Sequence, residues 1–200
     1  AKSKLVMKRG TATNVIEEAT LGGGSITGLL RFQNNDLSDA KNLLGRMAMA
    51  IGTTVNNQHK LGIDLNGAAG GDMFRVSALP DGLASTTNTG AATVQVAIQT
   101  TPTSGASSLA ASSYVINFTG AAAGSITRES DGQTTIFAAS PITVDGLTIA
   151  ITGAAAAGDR FLVSPFNDAS SVFSTNFSSP KALAMANPVA ASAGASNQGT

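Results

Sequence analysis

The chain has 200 residues, room for one or two domains; 42% are hydrophobic and only 12% charged, about half the usual share. Twelve basic and twelve acidic side chains cancel. That balance argues against a nucleic-acid binder, whose domain is normally basic. With no cysteine and a single histidine, disulfides, zinc–thiolate sites, thiol nucleophiles and histidine-pair metal sites are excluded. No apolar run approaches the ~18 residues of a membrane span. Composition alone disfavours an enzyme.

Ala1–Gly10 is basic, but Leu5–Met7 is too short for the apolar core of a signal peptide. Leu5–Met7 and Val15–Ile16 read as short strands broken by Gly10. Gly22–Gly24 is a breaker. It fails as a phosphate cradle: Thr27 stands where GxGxxG needs its third glycine, and no Gly-Lys-Ser/Thr follows. Ser25–Gln33 then offers a short amphipathic turn with Ile26, Leu29 and Leu30 on one side.

The strongest periodic signal comes next. Asp36 is the expected N-cap, with Asp39 in the first turn where the helix dipole favours a carboxylate. Leu37, Ala40, Leu44, Met47, Ile51 and Thr54 alternate spacings of three and four, a seam that continues through Gln58 to Leu61. Leu43, Ala48 and Ala50 widen it, while Lys41, Asn42, Arg46 and Asn57 face elsewhere. Gly62 is expected at C′, with Lys60 in the last turn. Gly45 and Gly52 cost about 1 kcal/mol each against Ala, so tertiary contacts must hold this helix. So narrow a stripe wants partner helices, expected outside this chain.

His59, near the helix end, has no second His or Cys to complete a metal site. It reads as structural rather than as a general base. Asp64 and Asn66 imitate the start of a calcium loop, but Ala69 replaces its glycine and Arg75 its glutamate. An Asx-and-Gly turn between domains is the better account.

From Met73 to Pro180 the period changes to two. Thr93–Gln99 turns Val94, Val96 and Ile98 one way, and Ser113–Thr119 does so with Tyr114, Ile116 and Phe118. Gly124–Glu129 and Thr134–Ala138 flank Asp131-Gly132, and Ile142–Val144 and Leu147–Ile151 flank Asp145-Gly146, both hairpin signals. Asp159–Phe166 closes the series with Phe161 and Val163 inward. The gaps Thr100–Ala111, Gly120–Ala123 and Gly153–Gly158 read as loops. An antiparallel sandwich or small barrel follows. Two carboxylates could run glycoside hydrolysis, yet Asp131 and Asp145 have a local reason to exist as turn residues. No GxSxG elbow accompanies the abundant serines. The expected catalytic, cofactor and metal residues are therefore none.

Three stretches carry a resemblance. They are Gly24-Ser25-Ile26-Thr27-Gly28-Leu29-Leu30-Arg31-Phe32, Asn42-Leu43-Leu44-Gly45-Arg46-Met47-Ala48, and Val55-Asn56-Asn57-Gln58-His59-Lys60-Leu61-Gly62-Ile63-Asp64-Leu65-Asn66-Gly67 with Gly71-Asp72-Met73-Phe74. Together they resemble the hook-associated family of FlgK type, which joins hook to filament in the bacterial flagellum. Ser113-Tyr114 through Phe118, Asp145-Gly146-Leu147 and Gly158-Asp159-Arg160-Phe161 resemble the β domain that follows in that family. Phe32-Gln33-Asn34 departs from the more usual Phe-Arg-Asp.

The resemblance implies an extracellular structural adaptor without catalytic residues or cofactors, exported unfolded by the flagellar type III apparatus. Its implied partners are further copies, joined through terminal segments absent here, the hook protein and the neighbouring junction protein. It also makes Asn56–His59 a helix-end packing motif. The abrupt start and the Ala/Ser/Gly-rich end at Val189–Thr200 suggest a middle fragment. The expected class is α+β, an amphipathic helical segment followed by an antiparallel β-sandwich or barrel. Residues 1–72 would be a partial helical core segment, 73–180 an outer β domain, and 181–200 a tail returning toward the core. The competing reading is a secreted β-rich adhesive or carbohydrate-binding module, which exposed aromatics on one face would favour.

Overall fold

The computed structural model describes residues 3–99 and 108–187. Most of the expected loop at Thr100–Ala111, and the tail at Val189–Thr200, lie outside them. Strands β1 (Leu5–Arg9) and β2 (Ala12–Ile16) form an antiparallel hairpin, turned at Gly10 with φ +62°. A 3₁₀ turn at Glu18–Thr20 follows. Gly23 and Gly24, both at positive φ, then lead into helix α1 (Ser25–Arg31).

Helix α1 does not stop at the expected cap. It passes through a π turn at Phe32–Asp36 into α2 (Leu37–His59), so Ser25 to His59 is one helical run. Asp36 is therefore mid-helix, at φ −60° and ψ −41°, and makes no side-chain cap bond. The physical reason is that the N–H of Leu37 already donates to Phe32 O in the preceding turn. No orphan donor is left there for a cap to satisfy. At the far end the capping residue is Lys60, and Gly62 is not left-handed. Gly62 is bare for another reason: a Cβ there would collide with the Ala184 main chain.

The β region is a two-layer antiparallel structure. Strands β3 (Phe74–Arg75), β4 (Leu83–Ala84), β5 (Thr93–Ile98), β6 (Tyr114–Phe118), β7 (Gly124–Arg128) and β8 (Thr134–Phe137) come first. β9 (Ile142–Val144), β10 (Leu147–Thr152), β11 (Arg160–Val163), the short helix α3 (Ala169–Val172) and β12 (Ser174–Thr175) complete it. One sheet has the order β4-β11-β6-β7-β8, the other β5-β10-β9, and β12 pairs with β3 beside α2.

Alternation places the core as expected. Val94 and Val96 from one layer, with Tyr114, Ile116, Phe118, Ile126, Phe161 and Val163 from the other, join a single buried cluster. Phe118 meets the Phe137 and Phe161 rings edge-on at 5.6 and 5.7 Å, the offset that ring quadrupoles favour. Asp145 (φ +48°) and Gly146 (φ +75°) make a two-residue turn between the paired Val144 and Leu147. Both central residues are left-handed, as a type I′ hairpin requires. The other hairpin needs four residues, 129–132, with Gly132 left-handed at φ +74°. Ala154–Ala157 forms no helical turn. Among the described residues no helix is long and apolar enough to cross a membrane.

Candidate functional site

Helix α2 carries two stripes, and the less apolar one is buried against the sandwich. Asn42, Gly45, Met49, Gly52 and Asn56 repeat at spacings of three and four, with Ala48 beside them, and all are buried. Gly45 lies against the main chain of Phe166, and Gly52 against Val76 and Phe173, so neither site has room for a Cβ. Arg46 Nε donates to Leu109 O at 2.6 Å, and Asn42 Nδ2 reaches Ser113 Oγ at 3.5 Å. Asn42 and Arg46 thus face the chain's own core side, where the expectation had turned them elsewhere. Small residues win here because they let two backbones approach, which a Leu stripe cannot.

The seam read from the sequence lies about 150° around the helix at 100° per residue. Leu44, Met47 and Ile51 are 58%, 55% and 50% exposed, and Leu37, Ala40 and Thr54 are exposed too. Ile26 and Leu29 of α1 are also exposed. Among the described residues, nothing covers this heptad-spaced apolar face.

Three asparagines act as main-chain clamps. Asn56 Nδ2 donates to Phe74 O and its Oδ1 accepts from Phe74 N–H, both at 2.8 Å. Asn34, in the π turn, does the same for Ser3 at 2.9 and 2.7 Å, and Asn88 for Arg160 at 2.9 and 2.8 Å. Each side-chain amide imitates a strand neighbour, satisfying a donor and an acceptor at once. Asn56→Ala leaves both Phe74 groups without these partners, at about 1–3 kcal/mol each where no water replaces them. A lower urea midpoint at unchanged slope is the expected result.

His59 bridges two main-chain groups. Its Nε2 accepts from Ala184 N–H at 2.9 Å. Nδ1 must then carry the proton it donates to Gly71 O at 2.7 Å. One imidazole so ties the helix end to the following loop and to the returning segment near Ala184. Lys60 pairs with Asp72 at 2.7 Å. A groove of about 460 Å³ beside this joint is lined by Val55, Gln58, Met73, Ala184 and Met185. No group of three potential metal ligands occurs among the described residues. Asp64, the calcium-loop candidate, spends its carboxylate on the turn: Oδ1 accepts from Asn66 and Ala68 N–H, and Oδ2 from the Asn66 amide.

The carboxylates weighed for hydrolysis have structural partners. Asp131 and Asp145 both bind Arg128, at 2.6 and 2.8 Å, and the Tyr114 hydroxyl donates to Asp145 Oδ2 at 2.8 Å. Gln133 also accepts from Arg128. Arg128 thus joins a strand of one layer to the β9–β10 turn of the other, a role no spacing rule exposed. Burial and the Asp145 carboxylate push the Tyr114 hydroxyl up, and the Arg128 guanidinium pulls the Asp131 carboxyl down to about 2. Tyr114 is fully buried. The only tyrosine is therefore unavailable to an aromatic sugar platform.

Asp159, 2% exposed, accepts main-chain N–H from Ala156, Thr89 and Gly90. Those bonds, Ala156 foremost, hold its carboxyl below the usual range, and Asp64 is lowered by Ala68 N–H and the Asn66 amide. All three depressed carboxyls favour the ionised fold. Their stabilisation is present above the unfolded value of about 4 and is lost as pH falls through the lower folded values. Urea midpoints are therefore expected to be level near neutrality and to fall below about pH 5.

Two separate parts of the chain match known protein families. The helical domain of flagellar hook-associated protein FlgK matches residues 1–74, and the D2-like domain of flagellar hook-associated protein 1 matches 83–165, from β4 through β11. Flagellar hook-associated protein 1 of Escherichia coli (strain K12) is 38% identical over 166 residues, 80% of this chain and 29% of its own length. Its counterpart in Salmonella typhimurium (strain LT2) is 31% identical over 157 residues, covering 77% and 27%. The solved structure of the flagellar hook junction protein FlgK from Burkholderia pseudomallei superposes with a TM-score of 0.76 at 31% identity. That match covers 97% of this chain and 35% of that one. The chain spans less than a third of the length of these two curated relatives. With one FlgK model on the long helix, another on the sandwich, and a FlgK structure superposing on nearly the whole, the chain belongs to the FlgK family of flagellar hook-associated proteins.

Proposed function

We propose that the chain is part of a structural adaptor at the hook–filament junction of the bacterial flagellum, with no catalytic, cofactor or metal residues. The observation that carries this reading is the two-sided helix α2. One face seats the sandwich, and the other presents a heptad-spaced apolar seam. In a chain matched by a FlgK helical domain over 1–74, such a seam fits a helical core completed by segments outside these residues. On this division residues 1–72 belong to that core, 73–180 form an outer β domain, and 181–200 return toward the core. The partners are further copies, joined through terminal segments, the hook protein and the neighbouring junction protein. Export is through the flagellar type III apparatus, unfolded, and the site of action is extracellular. The adhesive alternative lacks support in the buried Tyr114 and core phenylalanines.

Antibodies raised against the sandwich test the reading on intact flagella by immunogold microscopy. Label is expected as a single band where hook meets filament. Label spread along the filament, or only at the cell surface, rejects the junction assignment.

A further inference from the structure

Asp64-Leu65-Asn66-Gly67 is a tight exposed turn and contains the chain's single Asn-Gly pair. Gly67 sits at φ +80° and donates its N–H to Asp64 O at 3.1 Å. The Asp64 carboxylate holds Asn66 from two sides, accepting its main-chain N–H at 2.8 Å and its side-chain amide at 3.1 Å. Asn-Gly is the pair in which a side-chain amide is most open to attack by the next main-chain nitrogen, because glycine has no Cβ to obstruct the approach and the widest backbone freedom.

We propose that Asn66–Gly67 is a deamidation site and that the Asp64 turn is the guard that keeps it closed while the chain is folded. In the reaction, Gly67 N loses its proton and bonds to Asn66 Cγ. The Cγ–Nδ2 bond breaks and ammonia leaves with that proton, giving a five-membered succinimide. Water then opens the ring. Attack at Cγ gives aspartate; attack at the main-chain carbonyl gives isoaspartate, whose chain path is one methylene longer. No electrons change hands, and solvent is the only co-reactant.

The fold opposes the first step at both reacting groups. The nucleophilic nitrogen has its proton committed to Asp64 O, and the leaving amide is committed to Asp64 Oδ2. Asp64 is ionised at neutral pH, its carboxyl lowered chiefly by the Ala68 N–H. An unfolded chain has none of these restraints. The products also damage what the turn supports. Either one places a carboxylate where Asn66 had donated to Asp64, and isoaspartate also displaces Gly67 from its bond. The same loop holds the returning segment: Leu65 N–H donates to Lys181 O at 3.1 Å, and Ile63 N–H to Ala186 O at 2.8 Å. Modification therefore loosens residues 181–186 from the end of α2. This inference is independent of the flagellar reading, since it needs only the turn.

The test incubates the wild-type chain folded and in urea, and Asp64→Ala folded, all at neutral pH. Peptide mass mapping follows the conversion of Asn66, and isoaspartyl methyltransferase labelling identifies the rearranged product. Unfolded wild type and folded Asp64→Ala are expected to convert at least about tenfold faster than folded wild type, the factor given by about 1.4 kcal/mol of local opening. Gly67→Ala should slow conversion in urea. If Asp64→Ala proves unfolded by circular dichroism, Asp64→Asn replaces it. That variant keeps one acceptor oxygen but sets a donor against the Asn66 amide, and it too should convert faster than wild type. Equal rates for wild type folded and in urea, or a folded Asp64 variant as slow as wild type, overturn the guard. No conversion in urea overturns the site.

Discussion

Gly28→Ala is expected to stabilise the chain by about 1 kcal/mol, and Gly45→Ala on the same helical run to destabilise it. The helix-propensity gain is similar at both positions, because each glycine is inside the helix and Ala relieves the same backbone entropy. Their surroundings differ. A Cβ on Gly28 meets nothing within 4 Å. A Cβ on Gly45 lands on the Phe166 carbonyl oxygen, and the Phe166 Cβ is 2.7 Å away. Main chain cannot step aside as a long side chain can, so α2 must lift from the sandwich. Overpacking costs about 1–3 kcal/mol and outweighs the propensity gain. The two changes share no neighbour, so they should add in the double variant. Urea melts give the comparison directly, and Gly45→Ala as stable as wild type would mean that α2 is not seated there.

The same glycines show what the sequence made legible. Alternation located the sandwich because each strand buries one face, and a period of two is visible without knowing the partner. The helix was legible as a helix but its faces were exchanged. Hydrophobicity marks Leu44, Met47 and Ile51, whereas the chain's own packing uses Gly45, Gly52, Asn42 and Asn56. Close backbone approach and clamped main-chain groups leave no apolar signature. One clue was present: two glycines inside a helix carry a propensity cost that only a close neighbour justifies. Asp36 misled because a carboxylate before a periodic run looks like a cap, and a π turn that continues the helix has no composition of its own. Arg128 was invisible for a different reason. Its two carboxylates come from separate hairpins, and only the stacking of the layers brings them together.

Changing Met47 and Ile51 together to Asp is expected to leave this chain folded and to disable the full-length protein. Each side chain is about half exposed here, and surface changes of this kind usually stay within about 0.5 kcal/mol. The isolated chain should therefore melt almost as wild type does. The outcome reverses if segments outside these residues cover the stripe. Met47 and Ile51 are one turn apart on one face, so both carboxylates would enter the same contact. Burying ionised, unpaired carboxylates costs several kcal/mol each, a large part of a domain's total stability. The helical core should then fail to close while the sandwich keeps its own melting transition, since its buried cluster includes neither residue. Filament attachment and swimming should be lost. Ile136→Asp, on the far edge strand and 84% exposed, serves as the control and should swim normally. Wild-type motility in the double variant would show that the stripe is never covered, and the helical-core reading would go with it. Unfolding of the isolated chain would instead place Met47 and Ile51 in its own core, against the seating of α2 through Gly45 and Gly52.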